Sequence, residues 1–581
     1  MLTNPLFSVR LVAVLFAALT CLISANAQAQ ASGSQAPDLV LHSGKVVTVD
    51  ERHGTVQALA ARGGRILAVG SSENIRKLIG EGTKVINLRG RTAIPGFIEG
   101  HAHFTGVGNA TMILDLSKVD NWDQVVDMVA AAAKHTAPGE WILGRGWHQE
   151  KWNKQPAGNV KGFPPHDSIS AATPDNPVAL THASGHASFF NQKAMQMAGV
   201  DSSTKSPPGG EILKNAKGEP IGVFSETAAG LVSRARSSRG IRSSPGSRRQ
   251  KLLRQINLAV EDCLSKGVTS FQDAGSSFAE INVFRELAER GELGVRLWVM
   301  IRTSNRDLEQ NLANYRMVDA GDHFLTVRAL KRSIDGALGS RGAWLLEPYS
   351  DEPDSSGLET ASVASVTRMA EIGAQHGFQV CVHAIGDRAN REVLDIYEKV
   401  WGQKHNGPSL RWRIEHAQHI HRDDIPRFGK LGVIASMQGV HCTSDAPYVL
   451  PRLGAQRAEE GAYVWQKLLK SGAVVTNGTD APVENVDPLA SFYASVTRKG
   501  KSGEAFYPDQ AMSRMEALYS YTMACAYAAF EEDSKGSLTP GKLADIVILS
   551  KDIMTVPEEE ILNTEVLYTI VGGKVVYDAS K

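Results

Sequence analysis

Six side chains in this sequence have the types and spacing of metal ligands: His101, His103, Lys331, His383, His416 and Asp480. His101 and His103 stand two apart in Phe97-Ile98-Glu99-Gly100-His101-Ala102-His103, and the alternation of a strand would put both imidazoles on one face. A lone inward histidine is usually a satisfied core residue, whereas two on one face after Pro95-Gly96 point to chelation. His383 closes Val380-Cys381-Val382, and His416 closes Trp412-Arg413-Ile414-Glu415. Imidazole nitrogens suit zinc and leave iron, nickel and manganese open. Asp480 follows Val474-Val475-Thr476-Asn477-Gly478-Thr479. A carboxylate there can ligate a metal and take a proton from coordinated water, whose pKa falls from ~15.7 to ~7. Lys331 ends Val327-Arg328-Ala329-Leu330; a dry site near divalent cations would drive its amine neutral.

Each of these residues sits where an apolar run gives way to a loop. Eight such runs lie near Phe97–His103, Val268–Asp273, Val295–Ile301, Val327–Ile334, Gln379–His383, Trp412–His416, Val433–Met437 and Val474–Asp480. Helix-period segments such as Val363 to His376 and Arg388 to Val400 separate several of them, which implies a parallel sheet. The pattern predicts an α/β chain, a (β/α)8 barrel over 94–535 whose strand ends carry the chemistry. Short β-type runs at both ends of the chain, over 36–93 and 536–581, predict one small β-sandwich into which the barrel is inserted. The stretch from Leu114 to Lys266 is too long for a crossover. It is expected to be an insertion overhanging the barrel mouth, with the Arg/Ser run from Ser233 to Arg249 a solvated loop.

The N-terminus stands apart. Arg10, an apolar run from Leu11 to Ile23 and Ser24-Ala25-Asn26-Ala27 read as a secretory signal peptide over 1–29, cut after Ala27 or Ala29. The run is shorter than the ~20 residues that span a bilayer. Export to the bacterial periplasm is the expectation. The chain holds 62 basic and 62 acidic residues, and loss of Arg10 leaves about −1, so nothing favours nucleic acid. Hydrophobic content of 42% and charged content of 21% are those of a soluble globular protein. Beyond Cys21, the cysteines Cys263, Cys381, Cys442 and Cys525 lack metal or disulfide spacing and read as buried small hydrophobes.

These residues lie in longer motifs. They include Pro95-Gly96-Phe97-Ile98-Glu99-Gly100-His101-Ala102-His103, Lys331 with Asp335-Gly336-Ala337-Leu338-Gly339-Ser340-Arg341, and His383-Ala384-Ile385-Gly386-Asp387. Ile414-Glu415-His416-Ala417-Gln418, Gly478-Thr479-Asp480-Ala481-Pro482 and Gly536-Ser537-Leu538-Thr539-Pro540-Gly541-Lys542-Leu543-Ala544-Asp545 follow. In them the chain resembles the amidohydrolase superfamily, in the family 3 branch of YtcJ-like proteins and N-substituted formamide deformylases. The resemblance implies two divalent metal ions, zinc foremost, bridged by a carbamate formed from carbon dioxide on Lys331. It implies hydrolysis of a C–N bond in a small amide, N-acyl or N-formyl compound by a metal-activated hydroxide, with Asp480 as general base and acid. An ester or lactone hydrolase on the same site, and a metal-binding protein without turnover, are the alternatives. The resemblance also points to His441, His186, Trp147 and Gln438 as substrate contacts. Trp152, Phe189 and Phe190 would make part of the pocket apolar, unless they are core. Two positions depart from the branch: His148 stands where an acid is usual, and Gly439 where a proline is usual. A homodimer is compatible with this reading and not required by it.

Overall fold

The computed structural model describes residues 36–239, 245–402 and 407–581. The expected signal peptide therefore lies outside the described residues, as does the centre of the Arg/Ser run.

Eight parallel strands form the body of a nine-stranded sheet: β1 Phe97–Ala102, β2 Val268–Ser276, β3 Arg296–Ile301, β4 Leu325–Ser333, β5 Gln379–Ala384, β6 Arg413–His416, β7 Ile434–Ser436 and β8 Val475–Thr476, with Met317–Asp319 pairing antiparallel to β4 at its side. Each pairs with its neighbour in that order. The strand β8 is short, and the segment after it closes the ring. Gly100 N donates to Asn477 O (3.0 Å), Asp480 N to His101 O (2.8 Å) and His103 N to Ala481 O (2.7 Å). Closure at this point brings Asp480 against the two N-terminal histidines. The strands are almost wholly buried, as a sheet covered on both faces demands, with apolar residues facing the surrounding core and polar ones such as Gln272, Arg413 and Glu415 facing the barrel interior. Helices Val363–His376 and Asp387–Gly402 pack outside the sheet, their apolar stripes (Val366, Met369, Ala370 and Val393, Leu394, Tyr397) joining the main core.

Strands from the two chain ends share a second sheet: Lys574–Asp578, Val566–Val571, Ile546–Leu549, Thr92–Pro95, Lys45–Val47 and Thr55–Val56. A four-stranded sheet of Arg65–Gly70, Ala58–Arg62, Leu39–His42 and Lys84–Asn87 faces it. Leu39, Leu41, Leu59, Ile546, Ile548 and Ile570 fill the space between them. A buried pair locks this sandwich to the barrel, with Arg296 Nε and Nη2 on the Asp545 carboxylate at 2.8 and 3.1 Å.

The insertion is more than a loop. Six strands, Gly210–Lys214, Pro220–Glu226, Ala187–Phe190, Val178–His182, Ile142–Trp147 and Leu114–Asp115, make a mixed sheet of their own. Two hydrophobic clusters flank it, one around Trp122, Trp147 and Phe189 and one around Phe190, Met195 and Phe224. Its boundary falls earlier than Lys266, because helix Pro245–Ser265 supplies Ile256, Ala259 and Cys263 to the barrel core. The Arg/Ser run is helical on both flanks, in Ala229–Arg239 and from Pro245 onward, where a loop was expected. Arginine and serine tolerate a solvated helix face, so polarity alone did not distinguish loop from helix. The four described cysteines are buried and unbridged. No helix among the described residues is long and apolar enough to cross a membrane.

Candidate metal centre

The six expected ligands meet at the C-terminal mouth of the barrel. His101, at the end of β1, and His103, just past it, place their Nε2 atoms 3.5 and 3.3 Å from Asp480 Oδ1. One ligand atom from each of the three lies within 4.8 Å of the others. Lys331 Nζ, from β4, is 3.3 Å from His101 Nε2. The His416 ring lies 4.7 Å from that of His101 and 4.4 Å from that of His383, centroid to centroid.

Local backbone explains how the last two residues reach in. Alternation along β6 sends Arg413 and Glu415 into the barrel and Ile414 into the surrounding core. A regular strand would send His416 out with Ile414. Instead His416 (φ 75°) and Ala417 (φ 45°) are left-handed, as is Asp480 (φ 55°). Such residues cost about 1–3 kcal/mol each and persist where the surroundings hold them.

A buried carboxylate orients His101. Its Nδ1 donates to Glu415 Oε2 in a short hydrogen bond, which leaves Nε2 for a cation, as in carboxylate–histidine–metal arrangements. Arg413 grips Glu415 through Nε (2.7 Å to Oε1) and Nη2 (2.9 Å to Oε2), and both side chains are fully buried. Burial alone would raise the Glu415 pKa, but Arg413 and then His101 outweigh it and hold the carboxyl well below its usual range. His416 Nδ1 donates to Gln438 Oε1 (2.8 Å), freeing its Nε2. Asp335 accepts from the backbone of Ile385 (3.0 Å), Gly386 (2.8 Å) and Trp344 (2.9 Å), tying the β4 loop to the β5 loop beneath His383.

Charge at the centre follows from burial. Lys331 is lowered to about 8, chiefly by desolvation. His101 is lowered to about 4, and His383 and His416 fall well below their ordinary value, again by burial first. Burial would raise Asp480, yet the hydrogen bond to His103 and the charges of His101 and His416 keep it well below a normal aspartate. His383 Nε2 is buried without a hydrogen-bond partner, and buried Asp480 Oδ1 faces only the His101 and His103 imidazoles, at 3.5 and 3.3 Å. Neutral imidazoles, an ionised carboxylate, a depressed lysine and orphaned lone pairs make a donor set that fits divalent cations.

A cleft of about 460 Å³, part of it open to solvent, rises from this centre. Its walls include His186, Ala337, Leu338, Ile385, His441, Tyr448 and Val483. His441 Nδ1 accepts from Gln418 Nε2 (3.1 Å), so the proton sits on Nε2, which has no protein partner. His186 comes from the insertion; its Nδ1 faces Glu226 Oε2 at 2.9 Å. Burial opposes a charge on His186, but Glu226 outweighs it and raises the pKa.

Two substrate-contact expectations need correction. Trp147 is fully buried in the insertion's core, its Nε1 donating to Leu180 O (3.0 Å), and does not line the cleft. Strand alternation in Ile142–Trp147 turns it toward Trp122 and Phe189, which are core as well. Gln438 is likewise buried and serves His416 instead. The two unusual positions have local reasons. His148 lines the cleft, its ring stacked 5.3 Å from Tyr448, and is held neutral by burial. At Gly439 a Cβ would lie 2.4 Å from Ser495 Oγ and 2.6 Å from Ser491 O. Sequence reasoning missed Glu226, Arg413 and the role of Glu415. For the last two the signal was present: ionisable residues two apart inside a buried run must pair.

Comparison with known proteins gives a consistent set. A model described as "Amidohydrolase family" matches residues 84–577. The protein LONG AFTER FAR-RED 3 of Arabidopsis thaliana is 34% identical over 93% of this chain and 91% of its own length. An N-substituted formamide deformylase of Arthrobacter pascens is 26% identical over 94% of this chain and 99% of its own. The crystal structure of an uncharacterized metal-dependent hydrolase from Pyrococcus horikoshii OT3 superposes with TM-score 0.71 at 25% identity, covering 90% of this chain and 99% of that one.

Proposed function

Starting from the fact that this chain belongs to the amidohydrolase family, we propose that it is a metal-dependent hydrolase cleaving the C–N bond of a small amide, N-acyl or N-formyl compound. The observation that carries this reading is the meeting of His101, His103 and Asp480, their ligand atoms within 4.8 Å, beside Lys331, His383 and His416. These six residues would hold two divalent cations, zinc foremost among them. Bound there, the ions supply Lewis acidity, lowering the pKa of water and polarising a carbonyl.

The protein's own groups do the rest. Asp480 Oδ1 faces the two imidazoles, leaving Oδ2 to take the proton of the attacking water and return it to the departing nitrogen. Lys331, lowered to about 8, keeps a neutral fraction at neutral pH. Its nitrogen adds to the carbon of carbon dioxide and releases a proton, giving an anionic carbamate in place of a cation. His441 Nε2–H points a donor at the developing oxyanion, where fixed donors act most strongly. His186 presents its Nε2 to the same cleft as a further polar contact for the substrate. Ala337, Leu338, Ile385 and Val483 give the acyl or N-substituent an apolar surface. The deformylase relative supports a C–N substrate, and the leader-like 1–29 segment supports action outside the cytoplasm.

The test is a zinc-loaded chain lacking residues 1–29, assayed against N-formyl amines, N-acyl amino acids, dipeptides, esters and lactones, with metal content measured in parallel. Turnover on formamides or N-acyl amines, with about two metals bound, is the expected result. Metal without turnover on any of these compounds would overturn the enzyme reading, and preference for lactones or esters would overturn the C–N assignment.

A further inference from the structure

His186 belongs to the inserted domain, yet it reaches a cleft built by the barrel. Its ring lies 4.9 Å from that of His383, centroid to centroid. Strands Ala187–Phe190 and Pro220–Glu226 pair antiparallel, with Ala187 opposite Ser225. The ladder extends one step further, Glu226 N donating to His186 O at 2.8 Å. His186 and Glu226 are thus cross-strand neighbours at the tip of the insertion's sheet. The Glu226 carboxylate takes the His186 Nδ1 proton at 2.9 and 3.1 Å to its two oxygens. That leaves Nε2 as the atom presented to the cleft that His186 lines.

The carboxylate rests in a seat on the barrel. A Cβ built on Gly336 would lie 1.9 Å from Glu226 Oε1, and one on Gly342 would lie 2.6 Å from the same atom. Both glycines are in the loop after β4, where Gly336 N donates to Gly342 O (3.0 Å). Asp335, near the start of that loop, is pinned to the β5 loop under His383. Glu226 itself holds a left-handed backbone, φ 50°, a strained state that a side chain other than glycine keeps only when its contacts require it. Its side chain is 7% exposed.

We propose that Glu226 is a positioning residue. Seated on the Gly336–Gly342 pair, it fixes the tautomer and aim of His186, so the site is completed across a domain boundary and only when the insertion is docked. This rests on the hydrolase reading above in taking His186 as a substrate contact. Docking and ring orientation are thereby coupled: Glu226 Oε1, seated against Gly336 and Gly342, also lies 3.1 Å from His186 Nδ1.

The experiment uses the zinc-loaded chain with Glu226→Ala, Glu226→Gln, Gly336→Ala and Glu226→Ala/Gly336→Ala. It measures kcat and KM on the best substrate of the panel, zinc content, and the ring N–H resonance of His186 in protein labelled at histidine nitrogen. A misplacement of about 1 Å costs roughly 10²-fold in rate. Glu226→Ala and Gly336→Ala should each lose about that factor in kcat, with zinc retained and the His186 Nδ1–H signal shifted or lost. The double variant should be no worse than the worse single one, and Glu226→Gln, which still offers an acceptor, should recover part of the loss. Unchanged kcat and signal in Glu226→Ala, or losses that multiply in the double variant, would overturn the proposal. If the unaltered enzyme turns over nothing, the hydrolase reading fails alone. The histidine signal then decides the positioning role: unchanged in Glu226→Ala and Gly336→Ala it refutes that role, and altered in both it supports it. Should Gly336→Ala misfold, Glu226→Ala, which only removes atoms, decides the matter.

Discussion

Glu415→Gln is the sharpest probe of how the barrel interior prepares His101. The substitution keeps the shape and deletes the charge that takes the His101 Nδ1 proton and neutralises Arg413. Removing one partner of a buried ion pair costs about 3–5 kcal/mol, because the other charge is left uncompensated. Arg413 keeps acceptors in Gly100 O (2.8 Å), Ser436 Oγ (2.7 Å) and Gln272 Oε1, so the lower figure of about 3 kcal/mol is expected. Denaturant unfolding of the metal-free chain, followed by tryptophan fluorescence, reads this loss. Competition with a chromophoric chelator reads a second effect, a fall in zinc affinity of about 10–100-fold from losing a partner of a metal-binding histidine. The double variant Arg413→Met/Glu415→Leu removes both charges. It should unfold less readily than Glu415→Gln alone, yet bind zinc as weakly. The pH dependence has a definite sign. The Glu415 pKa is depressed in the folded chain, so its contribution is complete above the unfolded value of about 4.3 and is lost as pH falls toward the folded value. The gap between wild type and Glu415→Gln should therefore close on acidification. A variant as stable as wild type at neutral pH, or a double variant with full zinc affinity, would refute this account.

Three further outcomes are expected. Asp480→Asn should lower kcat by about 10²–10⁴-fold, the range for a positioned acid–base group, in a steady-state assay, while zinc remains detectable by elemental analysis. Lys331→Ala should lose the metal pair and regain part of its zinc and activity with formate or acetate; full metal content without added carboxylate would contradict the bridging role. Asp545→Ala leaves Arg296, 3% exposed, without its anion and should destabilise the chain by about 3–5 kcal/mol in thermal or denaturant unfolding. Its zinc affinity at low temperature should match wild type, since the pair lies between sandwich and barrel.

The sequence was legible where chemistry and periodicity coincide. Buried parallel strands are mostly apolar, so a histidine, lysine or aspartate at the end of one stands out, and all eight barrel strands fall where the apolar runs lie. The terminal strands were readable from their short alternation. The insertion was readable as an insertion, but its internal sheet was not, because that mixed sheet is made of brief strands among turns, whose pairings depend on contacts distant in sequence. Trp147 shows the limit for side chains: a tryptophan beside a motif looks like a pocket wall, and only the sheet's register turns it into the core. Glu226 left no mark at all. Its role depends on two glycines over a hundred residues away, which in sequence look like ordinary turn residues.

The shared six-stranded sheet of the sandwich has a consequence for biosynthesis. Its strands Ile546–Leu549, Val566–Val571 and Lys574–Asp578 are synthesised after the whole barrel, yet Ile546–Leu549 is the immediate neighbour of Thr92–Pro95, which leads into the barrel. Until those later strands emerge from the ribosome, that early strand keeps an open edge, and open edges recruit foreign strands. A nascent or truncated molecule ending before Ile546 should thus be a client for holding chaperones, and a protease nick near the C-terminus should be more damaging than one in an exposed turn of the insertion.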